Sequence, residues 1–324
     1  MKIGYALSSE EHTGADLVRL AGMAENAGFS FALISDHYHP WIDRQGQSSF
    51  VWGVLGAISQ ATRRLEVGTG VTCPTMRIHP AVIAQAAATA ASLMPGRFFL
   101  GVGTGENLNE HILGTTWPDW EIRAEMLEEA ISVIRELWTG RQVRHRGTHY
   151  RVRDARLYSL PDEPPPIYVA AGGEKAAGVA ARIGDGMIGT GPEAEVIEAF
   201  QAAGGRGPRF GQVTICWGES EVEARRTAHE WWPTAAIHGA ASQELPNPIH
   251  FEELVSAVTE DDVAELISCG PNVDSHLAKI RAYEKAGYDR IYIHQVGPDQ
   301  AGFFRFAGRE LLPALSGELA AAAR

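Results

Sequence analysis

A (β/α)8 TIM barrel is the fold class this sequence predicts, and three observations predict it. Short apolar runs alternate with helical patterns from the first residues into the last third of the chain. The runs are near-continuously apolar rather than alternating, as expected when both faces of a parallel strand are buried. Eight such units follow one another within 324 residues without a linker. A doubly wound sheet shares the alternation, but eight uninterrupted units over this length favour a closed barrel, one domain spanning 1–324.

The elements follow in order. KIGYALS (2–8) is the first strand. Residues 13–28 form a helix in which Thr13 and Asp16 are spaced as a capping box. Leu17, Leu20, Ala21 and Ala24 share one face, and Gly28 stands where a C-terminal cap belongs. FSFALIS (29–35) is a strand, 51–62 a helix, LEVGTG (65–70) a strand, and 80–93 a helix with Pro80 in its first turn. RFFLGVG (97–103) is the fourth strand. The helix after it carries Leu127, Ala130, Ile131, Ile134, Leu137 and Trp138 on one face and stops at Gly140. PIYVAA (166–171), GMIGT (186–190), QVTICW (212–217) and RIYIHQV (290–296) supply the last four strands. Residues 233–253 have weak periodicity and three prolines, and read as an excursion or lid.

Composition excludes several functional classes. The net charge of −12 disfavours long-range attraction to nucleic acid or anionic membrane. Six arginines between Arg141 and Arg156 are the local exception, and their strand-like alternation around Gly147 reads as a solvated hairpin. Cys73, Cys216 and Cys269 are too scattered for a disulfide framework or a zinc ribbon. No apolar run reaches the roughly 18 residues that span a bilayer, and the start is not a signal peptide, so a cytoplasmic protein is expected.

Polar and glycine residues collect where the strands end, the face on which barrels of this kind build their sites. The first strand is followed by SSEE (8–11), the second by DHYHPW (36–41), the third by GTGVTCPT (68–75) and the fourth by GTGENLN (103–109). The fifth gives AAGGE (170–174), the sixth Thr190-Gly191, and the eighth His294-Gln295. His37 and His39 resemble half of a metal site. The fifth and sixth strand ends offer no further ligands, however, and alternation sends the two histidines to opposite sides, so no metal is expected. Gly172-Gly173, between a strand and a helix start, suits an anion, although a tight turn would also use glycine. GVGTG (101–105) lacks the spacing of a dinucleotide fingerprint.

Taken together, the strand ends resemble the luciferase-like barrel family, and within it the branch that uses the deazaflavin coenzyme F420 and includes glucose-6-phosphate dehydrogenases. The resemblance covers nearly the whole chain. It is strongest in SDHYHPW (35–41), HPAVIAQAAAT (79–89), RFFLGVGTGENLNE (97–110), PIYVAAGG (166–173) and GDG (184–186).

This resemblance implies an F420-dependent dehydrogenase acting on a sugar, a sugar phosphate or another alcohol. His37 is implied as proton acceptor, Glu106 as the acid near ring and substrate, Glu10 as a second carboxylate, and Trp41 as the indole flanking the substrate. Asp36, Asn109, Gly172, Gly173 and Thr190 are implied cofactor contacts. Gly70-Val71, followed by Thr72, is implied as a cis peptide shaping the cofactor face. Lys279 and His294 are candidate substrate contacts, and His39 is expected to be structural. The family's glucose-6-phosphate enzymes hold the sugar phosphate with two lysines and an arginine. Here the corresponding stretches GTGPEAE (189–195) and HFEELVS (250–256) carry glutamates instead, which leaves Arg44, Arg206 or Arg209 as substitutes if a phosphate is bound at all. The alternatives are an FMN-dependent monooxygenase of the same family and a non-catalytic F420-binding protein. Barrels of this family often dimerise, which allows a homodimer.

Overall fold

Eight parallel strands close on themselves in the computed structural model, which describes residues 1–237 and 239–322. The strands are β1 (Lys2–Leu7), β2 (Phe31–Ile34), β3 (Glu66–Thr69), β4 (Phe98–Val102), β5 (Ile167–Ala170), β6 (Gly186–Gly189), β7 (Arg209–Cys216) and β8 (Arg290–Gln295). Each pairs in parallel with its sequence neighbour, and β8 returns to β1, which closes the barrel; a two-residue strand, Ser268–Cys269, adds to the end of β7. The eight predicted strands are all present. The seventh starts three residues earlier than the apolar run suggests, at Arg209, whose side chain bonds Asp289 outside the barrel.

Helix α1 (Gly14–Ala27) is capped as its sequence predicts. The Thr13 hydroxyl accepts from the Asp16 amide, and Gly28 ends the helix at φ 103°. Helix α2 (Val51–Ala61) and helix α3 (Pro80–Leu93) follow, and helix α4 (Trp120–Trp138) buries the six apolar positions named above. The arginine-rich stretch is an antiparallel hairpin, Val143–Arg146 against Arg151–Ala155.

Inside the barrel, Phe31, Phe99, Tyr168, Phe210 and Tyr292 form an aromatic plug with Leu33 and Ile188. Glycine makes room for these rings. A Cβ on Gly4 would come within 2.4 Å of Phe31, and one on Gly68 within 2.1 Å of Phe99. The plug fills the barrel and leaves its C-terminal mouth as a floor on which polar side chains stand.

Over that mouth lies the predicted excursion. It forms a 3-10 turn (Pro233–Ala236) and two short helices (Ala241–Glu244 and Pro248–Val255). Among the described residues no helix is long and apolar enough to cross a membrane.

Candidate active site

The loop after β1 is buried although it is polar, because each group has a partner. The Ser9 amide donates to the Ser35 hydroxyl at 2.9 Å, and the Ser9 hydroxyl donates to the Ser35 carbonyl at 2.9 Å. Ser35 in turn donates to Glu10 Oε2 at 2.6 Å, as Ser8 does at 3.1 Å. This serine ladder joins the ends of β1 and β2 and fixes the Glu10 carboxylate, which is 3% exposed.

Across from it stands His37. Its Nε2 lies 3.2 Å from Glu10 Oε1 and 3.6 Å from Glu106 Oε2. Its Nδ1 lies 3.1 Å from the His39 carbonyl, an acceptor, and 3.2 Å from the Asn109 amide nitrogen, a donor, while Nε2 faces the carboxylates. The Asn109 amide nitrogen donates to Glu106 Oε2 at 3.1 Å, while its oxygen accepts from the amides of Tyr38 and His39 at 2.8 and 3.2 Å. Asn109 thus locks the β2 loop to the β4 loop. Trp41 packs its ring 5.2 Å from that of His37 and edge-on against Phe251. His39 turns away, bonding the Leu108 carbonyl at 2.8 Å and stacking on His111, a structural role as expected. Among the described residues no group of three or more His, Cys, Asp or Glu could hold a metal ion.

Burial and charge set the protonation of the triad. Burial pulls the His37 ring toward the neutral form, but Glu10 and Glu106 outweigh it, so its pKa is raised. Burial pushes the Glu10 carboxyl up, yet His37 and the Ser35 hydroxyl prevail and hold it below the usual value. Glu106 is raised, by burial first and then by Glu10, against the opposing pull of His37. Two neighbouring carboxyls are therefore driven apart, one toward the anion and one toward the acid.

Two connected clefts open from this point. One, of about 250 Å³, is lined by Ser8, Glu10, His37, Trp41, Trp232, Thr234, Ile237, Ser242, Phe251 and His294. The other, of about 350 Å³, is lined by Asp36, Gly70, Val71, Gly103, Thr104, Asn109, Gly172, Ile188 and Thr190, with His37 and Glu106 at the junction. The Gly70–Val71 bond is cis. Thr72 and Gly173 lie behind the lining. Thr72 donates to Asp36 Oδ2 at 2.7 Å, and Gly173 is the N-cap of helix α5 (Glu174–Ile183). Lys279 is placed elsewhere. It is half-buried on the outside of the barrel, where helix α6 (Val273–Ala286) carries it, and its ammonium donates to the Glu265 carbonyl at 2.8 Å.

Three participants escaped the sequence reading. Arg77 is buried between Asp36 (2.9 Å) and Glu110 (3.5 Å) and fixes the cleft from behind. Glu11 pairs with His294 Nε2 at 2.7 Å and accepts from the Gly297 amide at 3.0 Å. Ser35 holds Glu10. The doublet Glu10-Glu11 at a strand end was the available signal, since consecutive residues there address different neighbours, β2 on one side and β8 on the other.

Comparison with known proteins identifies the family of the chain. Residues 1–290 match the family described as luciferase-like monooxygenase. F420-dependent glucose-6-phosphate dehydrogenases of Beutenbergia cavernae and Mycolicibacterium smegmatis are each 35% identical to this chain, covering 97% of it and 97% and 98% of their own lengths. An F420-dependent secondary alcohol dehydrogenase, solved with an F420-acetone adduct, superposes with a TM-score of 0.89 at 27% identity, covering 97% of this chain and 98% of that one. A coenzyme F420-dependent tetrahydromethanopterin reductase from Methanopyrus kandleri shares the fold, with a TM-score of 0.77 at 19% identity over 97% of this chain and 99% of its own. With a family match over most of its length and relatives aligned almost end to end, the chain belongs to the luciferase-like monooxygenase family.

Proposed function

We propose that this chain, an F420-dependent oxidoreductase, dehydrogenates an alcohol, with His37 Nε2 taking the proton of the substrate hydroxyl. The larger cleft fits the coenzyme. Val71 and Ile188 would offer its ring an apolar surface beside the cis peptide. At Gly172 and Gly173 an added Cβ would meet nothing within 4 Å, and helix α5 starts there without a side-chain cap. Open space over free amides at a helix N-terminus suits the phosphodiester of the coenzyme tail. Asp36, Asn109 and Thr190 line the same cleft.

Bound coenzyme supplies a two-electron acceptor for the hydrogen on the substrate's hydroxyl-bearing carbon. Proton handling falls to the protein. In the neutral tautomer with its hydrogen on Nδ1, toward the His39 carbonyl, Nε2 accepts the proton, and Glu10, 3.2 Å away and held toward the anion, stabilises the imidazolium that forms. Glu106 holds its own proton toward higher pH and so keeps a second full negative charge from gathering beside Nε2. The excursion over the mouth contributes Thr234, Ile237, Ser242 and Phe251 to the smaller cleft, and we assign it the role of a lid that shields the reacting carbon from water.

The seat of His37 between Glu10 and Glu106 is the observation that carries this reading. His37→Ala is expected to lower turnover by about 10²–10⁴-fold, the usual worth of a general base, while the affinity for F420, followed by its fluorescence, stays near the native value. Near-native turnover in that variant would remove His37 from the role.

A further inference from the structure

We infer that the substrate is an uncharged alcohol and that the cavity excludes phosphorylated alcohols by charge. The inference rests on the dehydrogenase reading above and adds the substrate class. It sets this chain apart from relatives whose names carry glucose 6-phosphate.

Three observations converge on it. Among the described residues, no lysine or arginine lines the cleft that holds His37, Trp41 and His294. The basic residues nearest the mouth are engaged elsewhere. Arg44 pairs with Glu230 and lies over the Trp231 ring, and Arg123 bonds Gln243 and Glu244. Arg77 is buried on Asp36 and Glu110; Arg209, in contrast, is not at the mouth, since it pairs with Asp289, the residue before β8, at the opposite end of the barrel.

Charge within the cavity is the second observation. Its two histidines each face a carboxylate, His37 on Glu10 and His294 on Glu11. With those carboxylates ionised, a protonated histidine only neutralises its pair and a neutral one leaves it negative. No protonation of the two rings makes the cavity positive, and a phosphate dianion would meet repulsion in a low-dielectric site.

The third observation is what remains to recognise a substrate. Ser8, Thr234, Ser242 and Gln212 offer neutral hydrogen bonds, and Trp41, Trp232 and Phe251 offer ring faces and edges. His294, in addition, has no partner on its Nδ1. Neutral donors, acceptors and aromatic walls suit hydroxyl groups and C–H faces.

The test is F420 reduction, followed by absorbance, with matched pairs: D-glucose with D-glucose 6-phosphate, and glycerol with glycerol 3-phosphate. Propan-2-ol and cyclohexanol extend the uncharged set. Native enzyme is expected to favour the uncharged substrates by about thirtyfold or more in kcat/KM. Thr234→Lys, which adds a cation to the wall, is expected to narrow the gap by about tenfold. Ser242→Lys on the covering helix is the second variant should the first not fold. A phosphorylated member turned over as well as its partner overturns the inference. So does a gap that neither lysine changes, since charge is then not what excludes the phosphate. Native enzyme that binds F420 yet oxidises none of these compounds overturns the dehydrogenase reading itself, and this inference with it.

Discussion

His37 lies between opposing influences, and their balance makes its protonation measurable. Burial disfavours its charged ring, while Glu10 and Glu106 favour it and win, so the imidazolium persists above the ordinary value of 6.5. On the proposed mechanism, alcohol oxidation requires the neutral ring. We therefore expect kcat/KM for oxidation to climb with pH through an apparent pKa above 6.5, and the reverse carbonyl reduction to fall through the same value. Glu10→Gln removes the closest anion and should move that midpoint down. A midpoint that Glu10→Gln leaves in place would count against the pairing. The same shifts bear on stability. The raised His37 contributes stability that is complete below its unfolded value and lost as pH rises through its folded one. Glu10, lowered, contributes stability above its unfolded value and loses it as pH falls. Arg77 offers a second test at this scale. Arg77→Met leaves the Asp36 and Glu110 carboxylates buried without their cation, and should cost about 3–5 kcal/mol in a denaturant melt. A loss below about 1 kcal/mol would mean that the two carboxylates take up protons without penalty.

Among the elements, helix α5 leaves its N-terminus without a side-chain cap, where the proposed reading puts the coenzyme tail. It starts at Gly173 in extended backbone (φ −169°, ψ 169°) that any residue can adopt, with no side chain bonding its first amides. Relative to glycine, a capping residue there would stabilise the helix by roughly a few tenths of a kcal/mol. Gly173→Asp is therefore expected to leave the melting temperature unchanged or raise it. It should weaken F420 binding by about tenfold or more, because its carboxylate competes for the same amides. A fluorescence titration of the variant with F420 decides it, and unchanged affinity would place the coenzyme tail elsewhere. Helix α1 is the opposite case, since the Thr13 hydroxyl and Gly28 satisfy its ends within the chain.

For the whole molecule, the barrel separates stability below from chemistry above. The Phe210 ring packs 4.8–5.3 Å from Tyr168, Phe99 and Phe31 and is fully buried, yet it does not line either cleft. Phe210→Ala should lower stability by about 3–5 kcal/mol. At a temperature where the variant remains folded, its F420 affinity should stay native. Measured by denaturant melting and F420 titration, a native melt would show that the plug is not where the barrel's stability resides.

The sequence by itself determined the strand–helix series, the helix caps and faces, and the strand ends at which polar groups gather. These rest on local rules: apolar period, capping chemistry and chain order along a parallel barrel. Even the separation of His37 from His39 was legible, because alternation along an extended segment dictates it. Only the tertiary structure decided which charges meet. Arg77, Glu110, Glu11 and Ser35 joined the site, and Lys279 left it for the Glu265 carbonyl. Barrel closure brings β8 against β1 and so sets Glu11 on His294, residues 283 positions apart. Pairing at such separation depends on where strands and helices finally pack, and no local pattern encodes that.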